Sequence, residues 1–195
     1  MAGYADLNHT PRRYETSRSA PASGWWSRTM ARSKCGVRSR RASVPENWFE
    51  VGGYRLCSDR YYDAERHLWV ELQPGSRVAR VGFDPLGRET SGDIVEVSLS
   101  VVGTHVNRGE PFGNVEAAKF VGPLQAPVSG VVSGRNAQVL SRPGVLNDDP
   151  NEAWLVELDM ADSSELSQLL RGEEQLRLWF AAEIERYRRQ GAVAE

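Results

Sequence analysis

From Asn47 onward the chain alternates apolar and polar positions in short runs. Tyr54-Arg55-Leu56, residues 67–72 and residues 77–82 each alternate, and Pro74-Gly75 separates the last two, which predicts half-buried strands in a hairpin. Residues 84–90 break the alternation and predict a short helical turn. Residues 93–99 then alternate strictly and Gly103 marks a turn. Residues 111–116 run into Ala117-Ala118-Lys119-Phe120, and residues 124–128 and 130–133 complete the series. Many strands of five or six residues with Gly and Pro at the corners predict a small all-β sandwich or barrel between about residues 50 and 160.

At Ser163 the period changes. Ser163-Ser164-Glu165-Leu166 offers an N-cap and an acidic first turn, with Leu166, Leu169 and Leu170 on one helical face until Gly172 ends it. Residues 173–189 then place Leu176, Trp179, Phe180, Ile184 and Tyr187 at helical spacing, with Arg186, Arg188 and Arg189 suited to the C-terminal end of the dipole. Such a stripe reads first as core cover, although Trp179 beside Phe180 is wide enough for a partner. The expected organisation is a basic tail over 1–45, a β domain over 46–162 and a C-terminal helical extension over 163–190.

Composition narrows the class. At 195 residues, 26% charged and 40% hydrophobic, the chain fits one domain with appendages and excludes collagen, coil and membrane classes. No apolar run approaches the roughly 20 residues of a spanning helix, and no apolar signal segment follows the basic N-terminus, so a cytoplasmic protein is expected. Cys35 and Cys57 are too few for a disulfide framework or a zinc site; both are expected as free thiols, with no metal. The net charge of −2 hides a split: residues 1–45 hold nine basic side chains against Asp6 and Glu15, so the tail is +7 and the rest −9. Rich in Arg, Ser and Pro, the tail is expected to be disordered. It reads as a solvated or upstream-translated stretch, with Met30 as an alternative start, as an organelle transit peptide, which would place the protein in an organelle matrix, or as a basic partner tail. The acidic remainder argues against a nucleic-acid binder.

Of the 24 basic residues only Lys34 and Lys119 are lysine. Arginine cannot lose its proton under ordinary conditions, whereas a lysine amine can form an amide. Lys119 lies between two strand patterns, where a hairpin tip would hold it out on a rigid post. A cofactor amide-linked there becomes a flexible arm at high effective concentration for each docked partner. An exposed, solvated turn lysine has the same spacing.

Around Lys119 the sequence resembles the biotinyl/lipoyl carrier domains, and within them the glycine cleavage system H proteins. The likeness runs through His67-Leu68-Trp69-Val70, Val81-Gly82, Gly92-Asp93-Ile94-Val95, Glu116-x-x-Lys119, Pro127-Val128-Ser129-Gly130, Leu146-Asn147-Asp148-Asp149-Pro150, Trp154-Leu155 and Glu165-Leu166 with Leu169-Leu170, about residues 50 to 175. It implies a flattened β-barrel or sandwich, a barrel-sandwich hybrid with C-terminal helices. It also implies lipoate on Lys119, installed by a lipoate ligase or transferase, and a carrier that catalyses nothing alone. Glycine decarboxylase, aminomethyltransferase and dihydrolipoamide dehydrogenase would be its partners. Glu116 would serve recognition by the modifying enzyme or the shape of the turn. His67 and Trp69 read as packing residues, and His105 as a surface histidine that could stand near the arm.

Three departures stand out. Ala117 replaces the usual Ser, Phe120 a small residue, and Val121-Gly122-Pro123 the acidic residues that follow. The resulting Lys-aromatic-Val-Gly-Pro resembles lipoate-binding proteins of heterodisulfide-reductase-like sulfur-oxidation systems, an alternative function with that complex as partner. An unmodified H-like scaffold assembling through the Trp179/Phe180 helix is another. Biotin is the competing cofactor: Glu116-Ala117 and Ala126 fit its pattern, but Ala118 and Phe120 replace both flanking methionines.

Overall fold

The computed structural model describes residues 47–193. The tail 1–45, with its expected disorder, and Cys35 lie outside them. Strands β1 (Trp48–Val51) and β2 (Tyr54–Cys57) form a hairpin, followed by β3 (Tyr61–Asp63), β4 (Leu68–Leu72), β5 (Val78–Phe83) and helix α1 (Pro85–Ser91). Then come β6 (Ile94–Leu99), β7 (His105–Val106), β8 (Pro111–Ala117), β9 (Val121–Gln125) and β10 (Gly130–Arg135). The chain continues through α2 (Ala137–Ser141), α3 (Val145–Asp148), β11 (Trp154–Met160), a 3-10 turn (Ser163–Gln168), β12 (Leu170–Arg171) and α4 (Glu173–Arg189).

Seven strands form one antiparallel sheet in the order β12-β3-β4-β5-β11-β10-β7, and three form a second, β6-β8-β9. The inward rows of both sheets, among them Val70, Val81, Val97, Phe112, Val115 and Leu158, share one buried cluster. The fold is therefore mostly β, a sandwich of two sheets with a C-terminal helix, as expected; these strand pairings leave the sheets open rather than closed into a barrel.

A second cluster explains where simple alternation failed. Phe49, Leu56, Tyr62, Trp69 and Leu86 pack with Leu176, Phe180 and Ile184 of α4. Leu68, Trp69 and Val70 are consequently all buried, because β4 faces the sandwich on one side and α4 on the other. A strand covered on both faces loses its polar positions, so the half-buried reading of residues 67–72 holds only at the Glu71-Leu72 end. The α4 stripe is core cover: Leu176, Phe180 and Ile184 are buried, and Trp179 packs against them.

The segment before α4 also differs from expectation. Residues 163–168 form a 3-10 turn, capped by Asp162, whose carboxylate accepts from the Ser164 N–H at 2.8 Å. Leu170 lies not on a helical face with Leu166 but in β12, opposite Tyr62. The capping bond and the free edge of β3 win over the apolar spacing.

Candidate functional site: the β8–β9 hairpin

Residues 118–120 link β8 to β9, and all three are exposed. The hairpin closes on itself where the Ala117 N–H donates to the Phe120 carbonyl at 2.8 Å. Two further bonds tie it to the segment joining α1 to β6: the Ala118 N–H donates to the Asp93 carbonyl and the Lys119 N–H to the Ser91 carbonyl, both at 2.9 Å. Lys119 therefore has a fixed backbone and an exposed side chain that forms no ion pair among the described residues.

The segment receiving these bonds is itself braced. Asn147 bonds both sides of one residue of β6, its Oδ1 accepting from the Ile94 N–H at 2.9 Å and its Nδ2 donating to the Ile94 carbonyl at 3.1 Å. Gly92 turns the chain at φ 76° and ψ −169°, a region open almost only to glycine. A Cβ there would stand 3.2 Å from both Ala118 Cβ and Lys119 Cγ. Gly92→Ala is therefore expected to cost about 1–3 kcal/mol and to loosen the turn. Urea unfolding would show the first, and faster amide exchange at Ala118 and Lys119 than at β8 residues the second.

Upstream, α1 is anchored by a buried carboxylate. Asp84 Oδ1 caps the helix, accepting from the Gly87 N–H at 2.7 Å, and Oδ2 lies 2.9 Å from His67 Nδ1. The His67 ring stacks on Trp179 with centroids 5.8 Å apart, and its Nε2 lies 3.5 Å from Glu183 Oε2. Burial, the largest single influence, works to lower the His67 pKa. The hydrogen bond and charge of Asp84, with the charge of Glu183, outweigh burial and the opposing Arg186, so the pKa is raised.

Glu116 is exposed on the outer face of β8, paired across the sheet with Glu96 on one side and Val121 on the other. The turn is closed by backbone bonds, and among the described residues the Glu116 carboxylate accepts no hydrogen bond. His67 and Trp69 are buried packing residues, and Trp69 Nε1 donates to the Pro150 carbonyl at 2.9 Å. His105 is exposed on β7, the outermost strand of the larger sheet. Ser129 and Glu165, from two motifs distant in sequence, bond each other through the Ser129 N–H at 2.6 Å and Oγ at 2.8 Å. Phe120 turns back so that its ring covers Gly122, and it lines a cleft of about 290 Å³ with Leu68, Phe83, Leu124, Ser91 and Tyr187. Among the described residues, no group of three or more His, Cys, Asp or Glu side chains could hold a metal.

Asp84, Gly92 and Asn147 were not singled out as site residues from the sequence. Gly92 and Asn147 stood inside recognised motifs, and Asp84 had only its position before Pro85 as a helix-start signal.

The arrangement suits one amine held at a fixed point for partners to reach. The model of the glycine cleavage H-protein family matches residues 60–180, more than half of the chain. Glycine cleavage system H protein 4 of Aquifex aeolicus is 38% identical over 127 residues, covering 65% of this chain and 72% of its own. Probable glycine cleavage system H protein 2 of Sulfolobus acidocaldarius is 35% identical over 139 residues, covering 71% and 86%. The crystal structure of an H protein from Mycobacterium marinum superposes with a TM-score of 0.50 at 33% identity, covering 58% of this chain and 97% of that one. Family members carry lipoate covalently on a lysine and are carriers rather than catalysts. A two-sheet fold with an exposed lysine on a braced hairpin, the family match and these relatives agree: the chain belongs to the glycine cleavage H-protein family and is a lipoyl carrier.

Proposed function

We propose that Lys119 is the lipoyl attachment residue, and that its arm carries an aminomethyl group from glycine decarboxylase to aminomethyltransferase and is then reoxidised by dihydrolipoamide dehydrogenase. One observation carries the assignment: Lys119 is the single lysine within residues 60–180, the span matched by the family. The family implies interaction with the other glycine cleavage enzymes; their individual contacts with this chain are part of the proposal.

When attached, lipoate supplies a dithiolane that partner enzymes reduce, load and reoxidise. The protein's own part is positional. The bonds to Ser91 and Asp93 hold the backbone of the turn, so motion is confined to the side chain and whatever it bears. A tethered group on a fixed post stays at high effective concentration for every enzyme docked nearby. The cleft beside Phe120 has a mixed lining, apolar at Leu68, Phe83 and Leu124 and polar at Arg66, Thr90 and Ser91.

The direct test is peptide mass analysis of the protein after incubation with a lipoate ligase, lipoate and ATP, and of protein from its native host. Lipoyl on Lys119 supports the reading; lipoyl confined to Lys34, biotin, or a bare Lys119 in both preparations overturns it.

A further inference from the structure

One peptide unit ties the Lys119 hairpin to the main core. The Ala118 N–H donates to the Asp93 carbonyl, and the N–H of that same unit, carried by Ile94, donates to Asn147 Oδ1. A peptide unit is planar and trans, so its carbonyl and its N–H point in opposite directions. Fixing the one fixes the other. Asn147 Nδ2 adds a bond to the Ile94 carbonyl at 3.1 Å, so a single side-chain amide meets both polar groups on the outer edge of this residue. β6 is an edge strand of the smaller sheet, and at Ile94 the Asn147 side chain stands where a neighbouring strand would pair.

Asn147 is itself held by the core. It follows Val145 and Leu146 on α3, both buried within the sandwich cluster, and its N–H donates to the Gly144 carbonyl at 2.9 Å. The path from core to lysine therefore runs from Leu146 through Asn147 and the 93–94 peptide to Ala118. The Lys119 N–H takes a separate route, to the Ser91 carbonyl.

Resting on the assignment of Lys119, we propose that Asn147 is a positioning residue for the carrier: by orienting the 93–94 peptide it sets the direction in which the turn presents the Lys119 amine. An asparagine suits the task because its amide holds a donor and an acceptor side by side. Aspartate at the same length keeps the acceptor alone, and leucine keeps neither. Bonds in such a chain polarise one another, so losing the first weakens the bond at Ala118. A partner enzyme still docks on the altered protein but finds the amine displaced, and a misplacement of about 1 Å can cost about a hundredfold in rate. The loss falls on the step that follows docking.

The test compares wild type with Asn147→Ala, Asn147→Leu and Asn147→Asp. Urea midpoints verify folding, and either of the first two variants carries the comparison if the other fails to fold. One readout needs no lipoate: amide exchange at Ala118, Lys119 and Val115 of β8. Asn147→Ala and Asn147→Leu are expected to speed exchange at Ala118 about fivefold or more, and by more than at Lys119 or Val115. The second readout is lipoylation by a lipoate ligase with ATP, followed by intact mass. There kcat is expected to fall about tenfold or more with KM unchanged. Asn147→Asp, which can still accept from the Ile94 N–H, is expected to lie nearer wild type than Asn147→Ala in both readouts. General loosening would quicken all three amides alike, and a lost docking contact would raise KM. Either result overturns the proposal, as does Asn147→Ala with the wild-type kcat and the wild-type exchange at Ala118. In each of these cases wild type lipoylated at Lys119 leaves the attachment site standing, whereas wild type that gains no lipoyl there removes both.

Discussion

Lys119→Arg is expected to fold like wild type and to accept no lipoate at all. The substitution keeps the positive charge, and the two features that place the turn are untouched, since the N–H of residue 119 still donates to Ser91 and that of Ala118 to Asp93. A surface change of this kind shifts stability by no more than about 0.5 kcal/mol. The chemistry is lost nonetheless, because a guanidinium keeps its proton at any working pH and offers no nucleophilic amine. Intact mass after exposure to lipoate ligase, lipoate and ATP would show the unmodified mass, and the urea midpoint would match that of wild type. Lys34→Arg, by contrast, is expected to be modified as fully as the natural chain. A Lys119→Arg protein that still gains a lipoyl group would refute the assignment, and with it the idea that a single post serves every partner.

The strands flanking Lys119 were readable from periodicity because β8 and β9 each have one buried and one solvated face, so burial follows every second residue over most of their length. The α4 stripe was readable for the same reason at helical spacing. What periodicity missed has a common cause: it reports how many faces of an element are covered, not by what. β4 looked half-buried because the helix that covers its second face begins a hundred residues later in the chain. Leu170 kept helical spacing with Leu166 but found an open strand edge at Tyr62. Motifs likewise marked positions without their tasks. Nothing in the string Leu146-Asn147 says that Asn147 straps down Ile94, and nothing in Gly92 says that the Lys119 side chain will need the space a Cβ would take. The lysine itself was visible because the chain otherwise uses arginine, and rarity is a property of composition rather than of folding.

Removing the Asp84 carboxylate is expected to produce the largest loss of stability of any single change near the site, and to alter how stability depends on pH. Asp84 is fully buried and holds two elements at once, the first turn of α1 through Gly87 and the ring of His67. The two segments meet so closely that a Cβ on Gly87 would stand 2.5 Å from His67 Cβ. His67 in turn sits at φ 53°, a strained backbone for histidine that its contacts must hold. Asp84→Ala breaks a buried pair and a helix cap together, and losing one partner of a buried pair costs about 3–5 kcal/mol. Asp84→Asn costs less, because its amide oxygen can still accept from the Gly87 N–H while the charge is gone.

The pH dependence separates the two roles. The groups facing His67 are Asp84 from the α1 cap and Glu183, Arg186, Trp179 and Tyr187 from α4, and their balance raises its pKa above the unfolded value of 6.5. A raised pKa means that the folded state holds the proton more tightly than the unfolded one. The stability this supplies is therefore complete below pH 6.5 and disappears as pH climbs through the folded value. Wild type is expected to show a falling urea midpoint over that window. In Asp84→Asn the main attraction for the proton is gone and burial dominates, so the fall should vanish or reverse. Because α1 leads directly into the Ser91 and Asp93 carbonyls that hold the hairpin, the same titration should appear as faster amide exchange at Ala118 and Lys119 when His67 loses its proton. A flat wild-type midpoint across the window would show that His67 contributes packing alone.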